Sequence, residues 1–241
     1  TADRFFLNGP LTKFSNTKNV NDILGVYFGD HVSLLDNLHL HGGGRFDYFK
    51  QTLVNRSHDL DPSQTEDGQT HLAFSPSIGL TYQPWKPIAL FANYTESFAP
   101  QEAGARSISG GLFDPERGKA YEGGIKFQFF ENRLRAKVAA FNIKKRNVLT
   151  ADPLNGFAFS VATGEQRSQG IEFDVAGRIW PGWDIIASYA YIDARVTKDL
   201  MFLEDSRVAN SALNQVSLWT TYFLQDGPLK GLGAGIGMYA Q

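Results

Sequence analysis

The chain has 241 residues, with 23 Lys and Arg against 25 Asp and Glu and a formal net charge of −2, a balance that argues against a dedicated nucleic-acid-binding protein because those carry an excess of basic residues. It contains no cysteine, which excludes disulfides, thiolate nucleophiles and cysteine-ligated metal sites. The 24 glycines and 13% aromatic residues argue against disorder and are typical of a β protein with tight turns.

About ten strands are predicted between residues 20 and 241, after a preceding loop over residues 1–19. Short turn signals recur along the chain at Asp36-Asn37, residues 84–87, Glu131-Asn132, Pro181-Gly182 and residues 226–228. Longer polar connections lie near residues 54–70, 99–118, 150–164 and 197–212. Short turns at one end of the strands and long loops at the other are typical of an antiparallel up-and-down outer-membrane barrel.

Apolar and polar residues alternate within these segments, which is the signature of a strand with one apolar face. The pattern is clearest before the Pro181 turn, where Ile171, Phe173 and Val175 oppose Glu172 and Asp174. The same alternation occurs in the other strands, for example in Leu38, Leu40, Phe46 and Tyr48; Leu72, Phe74, Ile78 and Leu80; Tyr121, Ile125, Phe127 and Phe129; and Val216, Leu218 and Tyr222.

One strand departs from this pattern. Leu134, Ala136 and Val138 share a face, but Phe141 and Ile143 fall on the opposite parity. Either a β-bulge in this strand or apolar side chains at one rim of the lumen would explain the change.

The apolar faces could look towards lipid or towards the core of a soluble β-sandwich or barrel. Strands of about 12–15 residues exceed the five or six that are usual in globular sheets. Aromatic residues also stand eight positions apart on one face, as in Tyr121 with Phe129 and Trp183 with Tyr191. This spacing is about 26 Å along a strand, close to the ~25 Å apolar band of membrane barrels once strand tilt is included. The sequence therefore favours an all-β transmembrane barrel.

From about Gly25 to Gln241 the chain resembles the later part of the barrel of TonB-dependent siderophore receptors. The segments that carry the resemblance are residues 75–84, 94–101, 113–118, 121–126, 147–153, 164–172, 181–183, 189–194 and 217–220. The resemblance implies a barrel of about 22 strands closed by an N-terminal plug domain. We therefore expect residues 1–241 to be a partial barrel domain of about ten strands that lacks the plug and the TonB box.

The resemblance implies a bacterial outer-membrane receptor that takes up an Fe(III)-siderophore and is energised by the TonB–ExbB–ExbD complex acting on the plug. Such a protein is not an enzyme and needs no cofactor of its own, and its other partners are outer-membrane lipid and lipopolysaccharide. The alternatives are a passive porin-like channel and a soluble β domain that binds a ligand such as a carbohydrate.

Ligand-binding residues are predicted from their position on the loop side of the lumen. A bulky chelate is held by aromatic contacts and a few hydrogen-bonding or cationic groups, and the protein need not coordinate the iron because the chelate already does. The candidates are Phe98, Gln101, Arg106, Phe113, Phe157, Phe159 and Phe202. No metal site is expected: His39 and His41 share a strand face, but no third ligand is in register apart from the more distant Asp47.

The remaining notable features of the sequence are its charged and glycine-rich segments. The run Lys144-Lys145-Arg146 is either a solvated loop edge or a contact for lipopolysaccharide phosphates or an anionic ligand. Glu165, Arg167 and Glu172 are predicted to form charge pairs in the lumen. Gly231, Gly233, Gly235 and Gly237 lack the strand-then-helix context of a dinucleotide fingerprint and indicate a small-residue strand face.

Overall fold

The computed structural model describes residues 17–55, 65–101, 105, 107–108, 112–152, 154 and 159–241. These residues form one antiparallel sheet of 10 strands whose spatial order follows the chain, which confirms the predicted all-β up-and-down architecture. The strands are β1 (Thr17–Leu35), β2 (Leu38–Asn55), β3 (Thr65–Trp85), β4 (Ile88–Ala99), β5 (Glu116–Phe129), β6 (Leu134–Ala151), β7 (Ser160–Trp180), β8 (Trp183–Lys198), β9 (Asn214–Phe223) and β10 (Gly233–Ala240). None of the described residues forms a helix that is long and apolar enough to cross a bilayer.

Short turns join the strands in pairs at one end of the sheet. The β7–β8 turn is Pro181-Gly182, where proline fixes its own φ and Gly182 takes φ 80°, a backbone conformation that glycine adopts without steric cost. The β5–β6 turn contains three consecutive residues with positive φ, which are Phe130, Glu131 and Asn132. The predicted turns are therefore confirmed, and the β2–β3, β4–β5, β6–β7 and β8–β9 connections lie at the opposite end of the strands. At the short-turn end, the β9–β10 connection is longer than the others and covers residues 224–232.

The start of β1 differs from the sequence prediction. Thr17, Lys18 and Asn19 pair with Asn55, Val54 and Leu53 of β2, so the assignment of residues 17–19 to a loop is wrong, and residues 1–16 lie outside the described part. Backbone pairing, which does not depend on side-chain polarity, extends the strand beyond its apolar segment.

Register gives the sheet two chemically different faces. Directly opposite residues in an antiparallel pair lie on the same face, so the pairings define complete rows across the strands. The row Ile125, Val138, Phe173, Tyr189 and Val216 belongs to what we call the apolar face, and the row Lys126, Lys137, Asp174, Ser188 and Ser217 belongs to the polar face.

No second layer covers the apolar face in the described residues, because each strand contacts only its neighbours in sequence order. Ile171 is consequently 52% exposed, and Phe173 is 40% exposed. Large exposed apolar surfaces are rare in soluble monomers, whereas a lipid-facing barrel surface has this composition. The sequence-based assignment of the two faces is thus confirmed, and the soluble-core alternative is not supported.

Phe141 and Ile143 lie on the polar face, as the alternation predicts. The register of β6 is unbroken from Leu134 to Arg146 against both β5 and β7, so there is no bulge before these residues. Phe141 stands directly opposite Gly170, and a Cβ at position 170 would lie 2.9 Å from its ring. The aromatic ring therefore occupies the space that the glycine leaves open, and the apolar-rim interpretation is the correct one.

We expect Ile125→Arg in the whole barrel to lower the free energy of unfolding by about 2–4 kcal/mol, because it places a cation on the lipid side of the sheet near the middle of the apolar band. The measurement is denaturant unfolding of the protein in phospholipid vesicles. Lys126→Gln is the matched control, since the neighbouring residue lies on the polar face, and it should change stability little. Equal losses in the two variants would contradict the assignment of the faces.

Candidate ligand-binding site

The sheet splits at its loop end between β3 and β4. Pairing between these strands extends from Trp85 and Ile88 to Ser77 and Thr95, while the earlier residues of β3 remain paired with β2. Pro76 stands next to the last pair, and proline has no N–H to donate to a neighbouring strand. The strands diverge beyond it and leave an open cleft. Its lining includes Arg45, Asp47, Ser75, Ser97 and Phe98.

The two largest fully buried side chains lie on the polar face beside this split. Phe49 and Gln51 of β2 are 0% and 1% exposed, and they stand opposite His71 and Gln69 of β3. The ring centroids of Phe49 and His71 are 6.5 Å apart in a stacked arrangement. A large side chain on one face of a single-layer sheet is open on the side away from the strands, so burial this complete indicates cover from a loop.

The β4–β5 connection supplies part of that cover. The Gln69 side-chain amide donates to Oε1 of Gln51 at 2.8 Å and to the carbonyl oxygen of Phe113 at 3.0 Å. The loop therefore folds over the polar face of β2 and β3, which places the loop residue Phe113 on the inner side of the sheet. We call Phe49, Gln51, Gln69, His71, Phe98 and Phe113 the loop-side cluster.

Phe98 joins this cluster through the split. Its ring meets that of Phe49 edge-on, with centroids 6.3 Å apart, and the guanidinium carbon of Arg117 lies 5.6 Å from its centroid. A cation over an aromatic face is attracted by the ring quadrupole. The strand position of Phe98 alone would place it with the apolar face, so the divergence of β3 and β4 is what brings its ring to Phe49.

Gln101 holds the β4–β5 connection in place, and its side-chain amide nitrogen is already hydrogen-bonded within the protein. It is buried, and its Nε2 donates to the carbonyl oxygen of Asn147. Asn147 in turn donates through Nδ2 to the carbonyl oxygen of Pro115 at 2.9 Å. The β4–β5 connection is thereby tied to β6 near its end, so Gln101 positions the loop that carries Phe113.

The loop-side cluster contains polar atoms with no partner among the described residues. The Nε2 atoms of Gln51 and His71 are both buried and make no hydrogen bond. A buried polar group left without a hydrogen bond costs about 1–3 kcal/mol. Because Phe49 and Gln51 are fully covered, a ligand oxygen could pair with these nitrogens only if the β4–β5 connection moved aside. The half-buried ring of Phe98, which lines the open cleft, offers a stacking surface.

The structure brings neither Phe159 nor Phe202 to the cluster. Phe159 accepts a hydrogen bond at its carbonyl oxygen from the Asp152 N–H at 3.0 Å, at the base of the β6–β7 connection. Phe202 is 64% exposed in the β8–β9 connection. Arg106 and Phe157 lie outside the described residues. Sequence reasoning missed Phe49, Gln51, Gln69 and His71, which are in strands and not in loops; their signal was a run of amide and aromatic side chains on the polar face.

The polar face carries an ion-pair network nearer the middle of the sheet. Lys137 Nζ lies 3.3 Å from a carboxylate oxygen of Glu122, 3.5 Å from Glu172 and 3.7 Å from Asp174. The predicted pore-side pairing of Glu172 is therefore found, with Lys137 as its partner.

The same prediction is wrong for Glu165 and Arg167. Their register with Arg146 and Lys144 is continuous with that of Ile171, which puts both on the side of the apolar face. Glu165 pairs there with Arg146 at 3.6 Å.

A histidine that the sequence prediction omitted stands next to the predicted pair. His31 is directly opposite His41, its ring centroid is 5.6 Å from that of His39, and the Ser33 hydroxyl lies 3.0 Å from Nδ1 of His39. The described residues nevertheless contain no group of three or more His, Asp or Glu side chains that could hold a metal ion.

We expect Gln69→Leu to lower the free energy of unfolding by about 1–3 kcal/mol, because it removes the donor to the buried Oε1 of Gln51 and to the Phe113 carbonyl oxygen. Amide hydrogen exchange should also accelerate in the β4–β5 connection. Gln128→Leu, at an exposed position near a short turn, is the control and should leave that exchange unchanged. Unaltered exchange in Gln69→Leu would show that this hydrogen bond does not hold the loop.

Three comparisons relate this geometry to known proteins. A family model described as "TonB dependent receptor-like, beta-barrel" matches residues 2–240. The metal-pseudopaline receptor CntO of Pseudomonas aeruginosa is 40% identical over 194 residues, which are 80% of this chain and 27% of that protein. The ferrichrome outer membrane transporter/phage receptor of Escherichia coli is 32% identical over 213 residues, which are 88% of this chain and 27% of that protein.

Solved structures show the same fold. The ferripyoverdine receptor of the outer membrane of Pseudomonas aeruginosa, bound to ferripyoverdine, superposes with a TM-score of 0.77 at 26% identity and covers 92% of this chain and 28% of that one. The alcaligin outer membrane receptor FauA of Bordetella pertussis gives a TM-score of 0.72 at 28% identity, covering 92% of this chain and 38% of that one. The chain thus spans about a quarter to two fifths of the length of these proteins.

Proposed function

We propose, from the premise that this chain belongs to the TonB-dependent receptor β-barrel family, that it is part of the barrel wall of an outer-membrane receptor for a ferric siderophore, energised through TonB. The apolar face then meets acyl chains and the polar face lines the lumen. The long connections stand on the side where the ligand enters, and the short turns stand on the opposite side.

The observation that carries the proposal is the loop-side cluster. It places the rings of Phe49 and Phe98 and the unpaired nitrogens of Gln51 and His71 beneath the connection whose Phe113 carbonyl oxygen accepts a hydrogen bond from Gln69. A ferric chelate presents ring or backbone surfaces and exposed oxygens, which such a set of groups can bind. The iron remains in the ligand's own coordination sphere, so the wall need contribute no metal ligand.

We propose that the rest of the protein supplies the plug domain and the strands that pair with β1 and β10. In the described residues β1 pairs with β2 alone, and β10 pairs with β9 alone. Unpaired backbone groups at the edge of a sheet are not tolerated in hydrocarbon. The TonB–ExbB–ExbD complex would act through the plug and not through the wall described here.

The cargo could be a metal other than iron. This second candidate is favoured by the relative that is 40% identical, which is named a receptor for metal-pseudopaline and not for a ferric complex alone. The same cluster serves either cargo, because it would contact the organic chelator.

Uptake by cells that carry the whole receptor tests the proposal. Accumulation of a ⁵⁵Fe-labelled siderophore should stop when a protonophore abolishes the proton motive force, and it should also stop in a strain without TonB. A passive porin-like channel would continue to admit the ligand under both conditions. Parallel assays with ⁶³Ni and ⁶⁵Zn metallophore complexes distinguish the two cargo classes.

We expect Phe113→Ala to weaken ligand binding about tenfold, the equivalent of about 1.4 kcal/mol, because it removes the aromatic ring from the connection that covers the loop-side cluster. Barrel assembly, followed by heat-modifiable mobility on gels, should not change. Phe130→Ala, at an exposed short turn on the opposite side, is the control. An affinity equal to that of the unmodified receptor would remove Phe113 from the site.

A further inference from the structure

A row of cations crosses the outward-facing side of the sheet near its loop end. Lys119 of β5 stands opposite Lys144 of β6, Lys144 opposite Arg167 of β7, and Arg167 opposite Arg195 of β8. We call these four residues the cation row. Arg117 and Arg146 form a further cationic pair two residues beyond it.

The cation row lies on the same side as the apolar face. Lys119 is two residues from Tyr121 in β5, and Tyr121 stands opposite Tyr94 of β4 and Asn142 of β6. The register of β5 with both neighbours is unbroken from Lys119 to Tyr121. The rings of Tyr94 and Tyr121 are 4.9 Å apart, as expected for an aromatic belt at the edge of the bilayer. Two residues add about 7 Å along the strand, which places the cation row at the level of the lipid headgroups.

Like charges directly opposite one another in a sheet are destabilising, and only the ends of the row are neutralised. Lys119 pairs with Glu96 at 2.8 Å, and Arg195 pairs with Asp193 at 2.8 Å. No carboxylate oxygen of the described residues lies within 4.0 Å of Lys144 or Arg167. The Nε atom of Arg167 is buried without a hydrogen-bond partner. The centre of the row therefore has positive charge that the described chain does not balance.

The basic run at residues 144–146 is divided between the two faces. Lys144 and Arg146 lie outward, whereas Lys145 lies on the polar face and pairs with Glu116 at 2.5 Å. A ligand in the lumen would meet Lys145, which is already neutralised, and would not reach Lys144 or Arg167. The outward cations thus lie on the membrane side of the sheet and not on the side of the transported chelate.

We infer that the cation row binds the phosphate groups of lipopolysaccharide in the outer leaflet. Lipid A carries its phosphates at the headgroup level next to its acyl chains, so one molecule can contact the apolar face and the cation row together. Lys and Arg are the side chains that recognise phosphate, and clustered cations next to a hydrophobic surface bind anionic headgroups. The inference rests on the proposed outer-membrane location.

The test uses the whole receptor purified in detergent, with bis-phosphorylated lipid A and the same lipid A after removal of its phosphates as probes. The unmodified receptor should bind the phosphorylated form about tenfold or more tightly. The double variant Lys144→Gln with Arg167→Gln should lose this preference, measured by native mass spectrometry. The control Lys126→Gln with Lys145→Gln removes the same charge from the polar face and should keep it.

Siderophore uptake separates this inference from the proposed function. The Lys144→Gln and Arg167→Gln variant should transport normally in cells, because the cation row is not part of the loop-side cluster. An unmodified receptor that shows no preference for the phosphorylated probe, or a double variant that retains the full preference, overturns the inference whether or not transport is found. Loss of uptake with intact lipid A binding would assign these residues to the ligand instead and would also overturn it.

Discussion

Backbone hydrogen bonding between neighbouring strands is the constraint on which the rest of this structure depends. A strand in hydrocarbon must pair its N–H and C=O groups with another strand, and the sheet achieves this with long antiparallel pairs in sequence order. Because side chains alternate along each strand, a fixed register also fixes the face of every residue. A shift by one residue between β6 and β7 would exchange Phe173 for Asp174 on the lipid side.

The exceptions to regular pairing occur at the loop end, where function is proposed. Proline at position 76 ends the β3–β4 pairing, and the resulting divergence allows Phe98 to reach Phe49. Asn147, with φ 58°, marks the register shift in β6 and holds Gln101. Regular strands thus form the membrane-spanning wall, while interruptions of the pattern build a cluster from three separate strands and one connection.

Much of the fold follows from the sequence, because period-two alternation and turn residues are local signals. The facing of Ile171 and Glu172 and the position of the short turn at Gly182 are of this kind. The strand starts after the long connections are not: β3 and β7 begin at Thr65 and Ser160, inside segments predicted as loops. The loop-side cluster is not, since Gln51 and Gln69 meet only through the β2–β3 register, and Phe98 lies where a strand pair opens. The error over Glu165 and Arg167 has another cause: both share the parity of Ile171, so the alternation itself places them on the apolar side, opposite Arg146 and Lys144 of β6.

The orientation of the two faces can be measured directly by spin labelling, for which a chain without cysteine is well suited. A nitroxide would be attached at Ile171→Cys or Glu172→Cys in the whole receptor, and each labelled receptor would be reconstituted in bilayers. The collision rate of each label would then be measured with oxygen, which concentrates in lipid, and with a water-soluble nickel chelate. The account predicts that oxygen relaxes the label at position 171 more strongly than nickel, and that the ratio of oxygen to nickel accessibility is much lower at position 172. Equal ratios at the two sites, or the reverse order, would contradict it.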